Sequence, residues 1–417
     1  MPLNPIPEPL AGSDHAASGP SREGTLSPLS MGVSGLYLAL YIHYGFFGFI
    51  PLWLKAMGAQ PGEIGVLLAI PLILRLLTVA PFSAWAGRRG LVRNSIVVTS
   101  LGAAAIVALL LGRPDHAGRI AIVLAFSMMW DQIPVLVDSY AVMAVRSHGL
   151  DFGRMRVWGS IAVVLSTASA GWAFDQFGIE ALPLICAVLL LLPAMVAALL
   201  RSDRHLAMAE AGESGRWRDV IGDGKLMRAM AAASLIMGSH GVLNSFGAIQ
   251  WAAHGISTST IGLLQALAVS AEILAFWFGT KLLGRRDPSL LLCIAAAAAA
   301  IRWLIMATDP GVPVLIATQL FQGVTATGAI LGMMLVIAAR VPVQTSAAAQ
   351  GLNAVLLGVV LAVVTAGSGL LWAYGTSFAY LAMAVIAGIG VAFAWPAKAE
   401  GEELTEHGQT SATGVEQ

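Results

Sequence analysis

Residues 341–397 read VPVQTSAAAQ GLNAVLLGVV LAVVTAGSGL LWAYGTSFAY LAMAVIAGIG VAFAWPA, 57 consecutive residues without an aspartate, glutamate, lysine or arginine. A bilayer core about 30 Å thick takes roughly 20 apolar residues per helix, so this stretch holds two crossings. They break near Tyr374-Gly375-Thr376. Outward from here, charges are also missing between Glu23 and Lys55, Arg228 and Glu272, and Asp309 and Arg340. With polar and Gly/Pro breaks taken as loops, the pattern predicts twelve helices near 31–54, 63–85, 94–112, 119–144, 156–174, 180–200, 226–253, 259–283, 289–307, 312–340, 344–374 and 377–396. Helices satisfy their own backbone polar groups in lipid, and the runs are too long and evenly apolar for alternating barrel strands. The expected fold is an all-α membrane protein of twelve transmembrane helices.

Composition excludes several classes. The chain is 57% hydrophobic and 11% charged, whereas a soluble protein carries about 25% charged residues. Lys plus Arg equals Asp plus Glu, 23 each, which leaves no basic excess for nucleic acid. Cys186 and Cys293 stand singly in apolar runs, away from any metal-ligand spacing. No phosphate-cradling loop, dinucleotide fingerprint or zinc-protease spacing occurs, and no nucleophile with a base and orienter can be assembled. The expectation is a protein that is not an enzyme, uses no cofactor and draws on a proton gradient.

Lysine and arginine collect in cytoplasmic loops. With both termini inside, sixteen of them fall in inner loops and three, Lys55, Arg113 and Arg119, in outer ones. A multi-pass protein of the cytoplasmic (inner) membrane is expected, acting as a monomer. Residues 1–30 and 397–417 read as disordered tails, the latter acidic. Residues 31–200 and 226–396 read as two six-helix bundles joined by a cytoplasmic linker at 201–225.

The bundles repeat each other. A shift of 197 residues places His43 on His240, Gly58 on Gly255, Ile64-Gly65 on Ile261-Gly262, and Gly87-Arg88-Arg89 on Gly284-Arg285-Arg286. It also pairs Arg75 with Glu272. Parallel repeats of this kind bind a solute midway between the halves.

Ionisable groups in hydrocarbon cost at least about 2.5–3.5 kcal/mol and face partners or a wet cavity. Those within the predicted spans are Arg75, Asp131, Asp138, Arg156, Glu272 and Arg302, with His43 and His240. Asp131 and Asp138 lie two turns apart on one helical face, with Pro134 between them. Asp138 either pairs with a loop arginine or exchanges a proton. Glu272 and Arg302 either neutralise each other as a structural pair or couple proton and solute binding. Tyr41, Tyr44, Asn244, Gln250, Trp251 and Gln265 are candidate cavity-lining residues.

Three segments carry a resemblance: Ile50-Pro-Leu-Trp-Leu-Lys-Ala-Met-Gly58 through Ile64-Gly65, Asp151-Phe-Gly-Arg-Met-Arg-Val-Trp-Gly-Ser160, and Gly238-Ser-His-Gly through Ala271-Glu272 to Ile301-Arg302-Trp303. The chain resembles the phenylpropionate permease-like branch of the major facilitator superfamily, a relative of lactose permease and of nucleoside and oligosaccharide proton symporters. The resemblance implies two pseudo-symmetric halves and a central site built from Asp138, Arg156 and Glu272, with Arg302 governing proton affinity. His43, His240, Asn244 and Tyr44 join the substrate set, and Asp131 the proton-coupling set with Asp138, Glu272 and Arg302. One departure stands out: Gln319-Leu-Phe-Gln322 has glutamine where the related proton relay has histidine, and no glutamate follows. The expected function is proton-coupled uptake of an aromatic or other small carboxylate by alternating access. A sugar or nucleoside symporter, an exporter and a non-transporting membrane sensor are the competing readings.

Overall fold

The computed structural model describes residues 27–202, 220–283 and 287–395. The expected tails fall outside these residues except at 27–30, where Pro28 already opens the first helix. Most of the linker, residues 203–219, also lies outside them. All regular elements among the described residues are helical, and twelve spans are long and apolar enough to cross a membrane. The first six are α1 Pro28–Ala56, α2 Pro61–Arg88, α3 Val92–Gly112, α4 His116–His148, α5 Phe152–Phe177 and α6 Ile179–Leu199. The second six are α7 Gly224–Ala253, α8 Thr258–Gly279, α9 Pro288–Met306, α10 Val312–Arg340, α11 Thr345–Ala373 and α12 Thr376–Ala394.

Short polar side chains start several of these helices, because the first turn leaves backbone N–H groups without intrahelical partners. Ser27 accepts from Ser30 N at 3.1 Å, Asp115 from Gly118 N at 2.9 Å, and Asp151 from Arg154 N at 3.1 Å. Asp223 and Asp287 start α7 and α9 in the same way. The acids spared from the membrane interior thus mark its helix ends.

Three spans are broken within the bundle. In α1 the break is Gly48-Phe49 and in α4 it is Asp131. Pro51 and Pro134 explain them: each lacks an N–H and crowds the carbonyl four residues back, Phe47 and Trp130. The α7 break, Ser239-His240, sits between Gly238 and Gly241, a glycine–serine weak point.

Helix packing repeats with a shift of six. In the first half α1 packs on α5 and α6, α2 on α4, and α3 on α4 and α6; in the second half α7 packs on α11 and α12, α8 on α10, and α9 on α10 and α12. The halves meet through the symmetry-related pairs α2·α11 and α5·α8. Both seams are tightest at the end remote from the basic loops, where backbones cross. A Cβ on Gly262 would lie 2.7 Å from the Thr167 carbonyl, and one on Gly65 2.9 Å from the Ala366 carbonyl. Gly171 and Gly369 face them with even less room, against the carbonyls of Thr258 and Pro61. The internal repeat superimposes Gly65 on Gly262, so the same glycine serves the same crossing twice.

Candidate substrate and coupling site

Tyr37, Tyr41 and Tyr44 follow one another by four and three residues, which sets them along one face of α1. Tyr37 is fully buried, and its hydroxyl donates to Asp138 Oδ1 on α4 at 2.7 Å. Arg156, one turn into α5, donates from Nη2 to the Tyr41 hydroxyl at 2.6 Å. Its guanidinium carbon stands 4.4 Å from the Tyr41 ring centroid and 5.2 Å from that of Tyr37. The two rings stack at 6.4 Å. Asp138 and Arg156, which the sequence placed in one site, are therefore joined through a pair of phenols rather than by direct contact. Most of the guanidinium's five donors stay available.

The second half holds a different chain of contacts. Arg302 on α9 is fully buried, donating from Nη1 to Gln322 Oε1 and from Nη2 to Gln319 Oε1 at 3.3 Å. Gln322 Nε2 in turn donates to Glu272 Oε1 on α8 at 2.6 Å. The expected Glu272–Arg302 couple is thus bridged by an amide from α10. The two glutamines that depart from the related relay are the residues that hold Arg302. Because an amide has one accepting and one donating end, Arg302 fixes which end of Gln322 meets the carboxylate.

Tyr44 lies between the two chains. It is 46% exposed although α1 and α7 are the most enclosed of the twelve spans. It sits within electrostatic reach of Arg75, Asp131, Glu272 and Arg156, two acids and two bases drawn from both halves. Asp131 occupies the α4 break and feels the charge of Arg75. Asn244 is exposed on α7 beyond its break, and Gln265 Oε1 would lie 3.5 Å from a Cβ on Gly48 of the opposite half.

His43 stays apart from this cluster, and His240 only borders it, edge-on to Trp303 at 5.0 Å and within electrostatic reach of Arg302. His43 is fully buried against Trp130, ring centroids 4.3 Å apart, with Phe47 and Phe126 alongside. Neither of its ring nitrogens has a hydrogen-bond partner. His240 is equally enclosed but satisfied: Nδ1 meets the Ile236 carbonyl at 2.9 Å and Nε2 the Thr325 hydroxyl at 3.1 Å. Their repeat in sequence therefore marks equivalent packing positions, with α1's helix turning His43 toward α4 aromatics. Gln250 is likewise committed elsewhere, donating to Asp309 at 2.6 Å and accepting from Tyr380 at 3.1 Å, and Trp251 is buried. Tyr37 was not among the sequence candidates. The signal that could have found it was the i, i+4, i+7 spacing of the tyrosines beside two intramembrane charges.

A family model described as MFS_1 like family matches residues 31–382. The chain belongs to that family. This major facilitator chain is similar to the "Probable 3-phenylpropionic acid transporter" of Escherichia coli (strain K12), 28% identical over 363 residues, 84% of this chain and 93% of the relative. It is also similar to the "Maltose permease" of Geobacillus stearothermophilus, 25% identical over 69% of this chain and 73% of that protein. Among solved structures, the nucleoside transporter NupG aligns with a TM-score of 0.72 at 16% identity, covering 88% of this chain and 98% of that one. A D-xylose-proton symporter aligns at 0.64 and 14% identity, covering 88% and 97%. The protein is a multi-pass membrane transporter of a small-molecule substrate, and such transporters are not enzymes.

Proposed function

We propose that the protein is a proton-coupled symporter that takes up a small aromatic carboxylate. One observation carries the reading: Arg156, laid over the Tyr41 ring with donors to spare, stands beside an α1 tyrosine face that ends at exposed Tyr44. A guanidinium binds a carboxylate bidentately, and a stack of phenols accepts the flat face of an aromatic ring. The likeness to a protein named for 3-phenylpropionic acid supports the same class.

In this reading the solute's carboxylate docks on Arg156 and its ring on Tyr41 and Tyr44. Asp138 stays oriented by Tyr37, so the anion meets one cation and no competing free acid. Asp131 and Glu272 flank Tyr44 and exchange the coupled proton. Arg302 acts on Glu272 through Gln322 as a permanent charge. Positive-inside logic places the basic loops in the cytoplasm, which makes the tight glycine crossings the outer closure and this conformation the inward-facing one. Alternating access then requires those crossings to part.

A second reading, a sugar or nucleoside, draws on Asp138 and Glu272 as hydroxyl acceptors and on the likeness to a maltose permease. Uptake of labelled 3-phenylpropionate, maltose and uridine into proteoliposomes, with and without an inside-alkaline pH gradient, separates the two. The carboxylate is expected to accumulate only with the gradient, and Asp131→Asn and Glu272→Gln should each abolish that accumulation. Accumulation of maltose or uridine instead would overturn the carboxylate reading. Binding without accumulation would point to a sensor.

A further inference from the structure

One carboxylate outside the central cluster ties the two halves together. Asp175, in the last turn of α5, reaches across the seam to the first turn of α8. Its Oδ1 accepts from Thr258 N at 2.9 Å and from the Thr258 hydroxyl, and its Oδ2 accepts from Ser259 N at 3.0 Å. The Gly171 carbonyl, 2.9 Å from the same hydroxyl, is the alternative acceptor for its one proton. Asp175 therefore caps a helix that belongs to the other half, using an anion where the unpaired N–H groups and the helix dipole favour one. The crossing of Gly171 and Gly262 one turn away brings the backbones close enough for this reach. The symmetry-related seam carries no counterpart, since α11 has Trp372 at the equivalent level, stacked on Phe246 of its own half at 4.8 Å.

We propose that Asp175 is a positioning residue for transport: its carboxylate latches α5 to α8 and holds the outer end closed, so the bonds it makes set how much of the protein occupies this conformation. The proposal rests on the alternating-access reading only in naming the end that must open. When α5 and α8 part, α8 loses its cap and the carboxylate loses these donors at once. Capping across a moving seam differs from capping within a helix, because the cost of breaking it falls on the transition between states.

The test uses the full-length protein with Cys186 and Cys293 replaced and a single reporter, Asn244→Cys, on α7. A membrane-impermeant maleimide is applied to this exposed position, just beyond the α7 break, from the side opposite the basic loops and, separately, from the basic side. With Asp175 intact, labelling from the opposite side should be slow. Asp175→Ala should raise it roughly tenfold or more, the scale expected for losing hydrogen bonds to a charged group. It should also lower labelling from the basic side, opposite changes that a general loss of fold would not produce. Asp175→Asn, which keeps one acceptor and the shape, should fall between the two. If both variants label like the parent from both sides, while Gly262→Trp, which forces the crossing apart, raises outer labelling, the latch is refuted and alternating access survives. If Gly262→Trp also leaves labelling unchanged, it is the alternating-access reading that fails. Rises from both sides in Asp175→Ala would mean that Asp175 only supports the fold, and would equally overturn the proposal.

Discussion

At the scale of single residues, the bridge through Gln322 makes a sharp stability prediction. Arg302 is fully buried and holds its charge on two glutamine oxygens. Gln322→Leu removes one acceptor from Arg302 and the donor from Glu272, leaving a fully buried and a half-buried charged group short of partners. It should cost about 1–3 kcal/mol, the range for stranding a buried polar group. Adding Arg302→Leu removes one of the stranded charges and should recover part of that loss, since a buried charge set exchanged for packed apolar groups is often neutral or better. Thermal unfolding in detergent of the single and double variants checks this. A double variant whose loss equals the sum of the two single losses would show that the bridge does not couple these residues.

At the scale of elements, the breaks in α1 and α4 follow from proline positions and place functional groups at the break. Asp131 is the cap residue between the two α4 segments, following Trp130 of one and preceding Gln132 of the next. Pro134→Ala restores an N–H that can close on the Trp130 carbonyl, letting α4 run straight and carrying Asp131 away from Arg75. The variant should fold with undiminished stability, yet gradient-driven uptake should fall on the order of tenfold to a hundredfold, as expected when a reacting group is displaced by about an ångström. Uptake at the parent rate in a stably folded Pro134→Ala protein would dissociate the break from coupling. The element boundaries were largely legible beforehand: all twelve predicted spans overlap those observed, and the ends differ by a few residues where caps such as Asp115 and Asp151 lie outside the apolar run. The breaks themselves were hidden, because hydropathy averages across them.

At the scale of the whole molecule, the second half is fastened at its basic end by Asp223, which caps α7 and accepts from Arg340 at the end of α10 at 2.8 and 2.9 Å. The hydrogen bond from Arg340 holds the Asp223 carboxyl below its ordinary value. A group with a depressed folded value stabilises the native state above its unfolded value, near pH 4, and loses that contribution as pH falls through the folded value. The stability difference between the parent and Asp223→Asn should therefore be largest above about pH 4 and shrink on further acidification. Its size should be about 1 kcal/mol, because the pair is partly exposed. Unfolding measured from pH 7 to pH 3 checks the sign; a difference that grows on acidification would reverse it.

Sequence alone determined the class of fold, the number of crossings and the duplication, because membrane burial and backbone satisfaction act on each span separately and leave a mark that can be read locally. It also named Asp138, Arg156, Glu272 and Arg302, since a charge in an apolar run is visible without knowing its neighbours. Which of these meet, and through what, was decided by tertiary structure. The side of α1 that faces α4 and α5 is set by packing, so the sequence could not place Tyr37 between Asp138 and Arg156 or turn His43 into an aromatic pocket. Nor could it bring Gln322 between Glu272 and Arg302, or carry Asp175 across the seam to α8, since each joins residues far apart in the chain that only the assembled helices bring within a hydrogen bond.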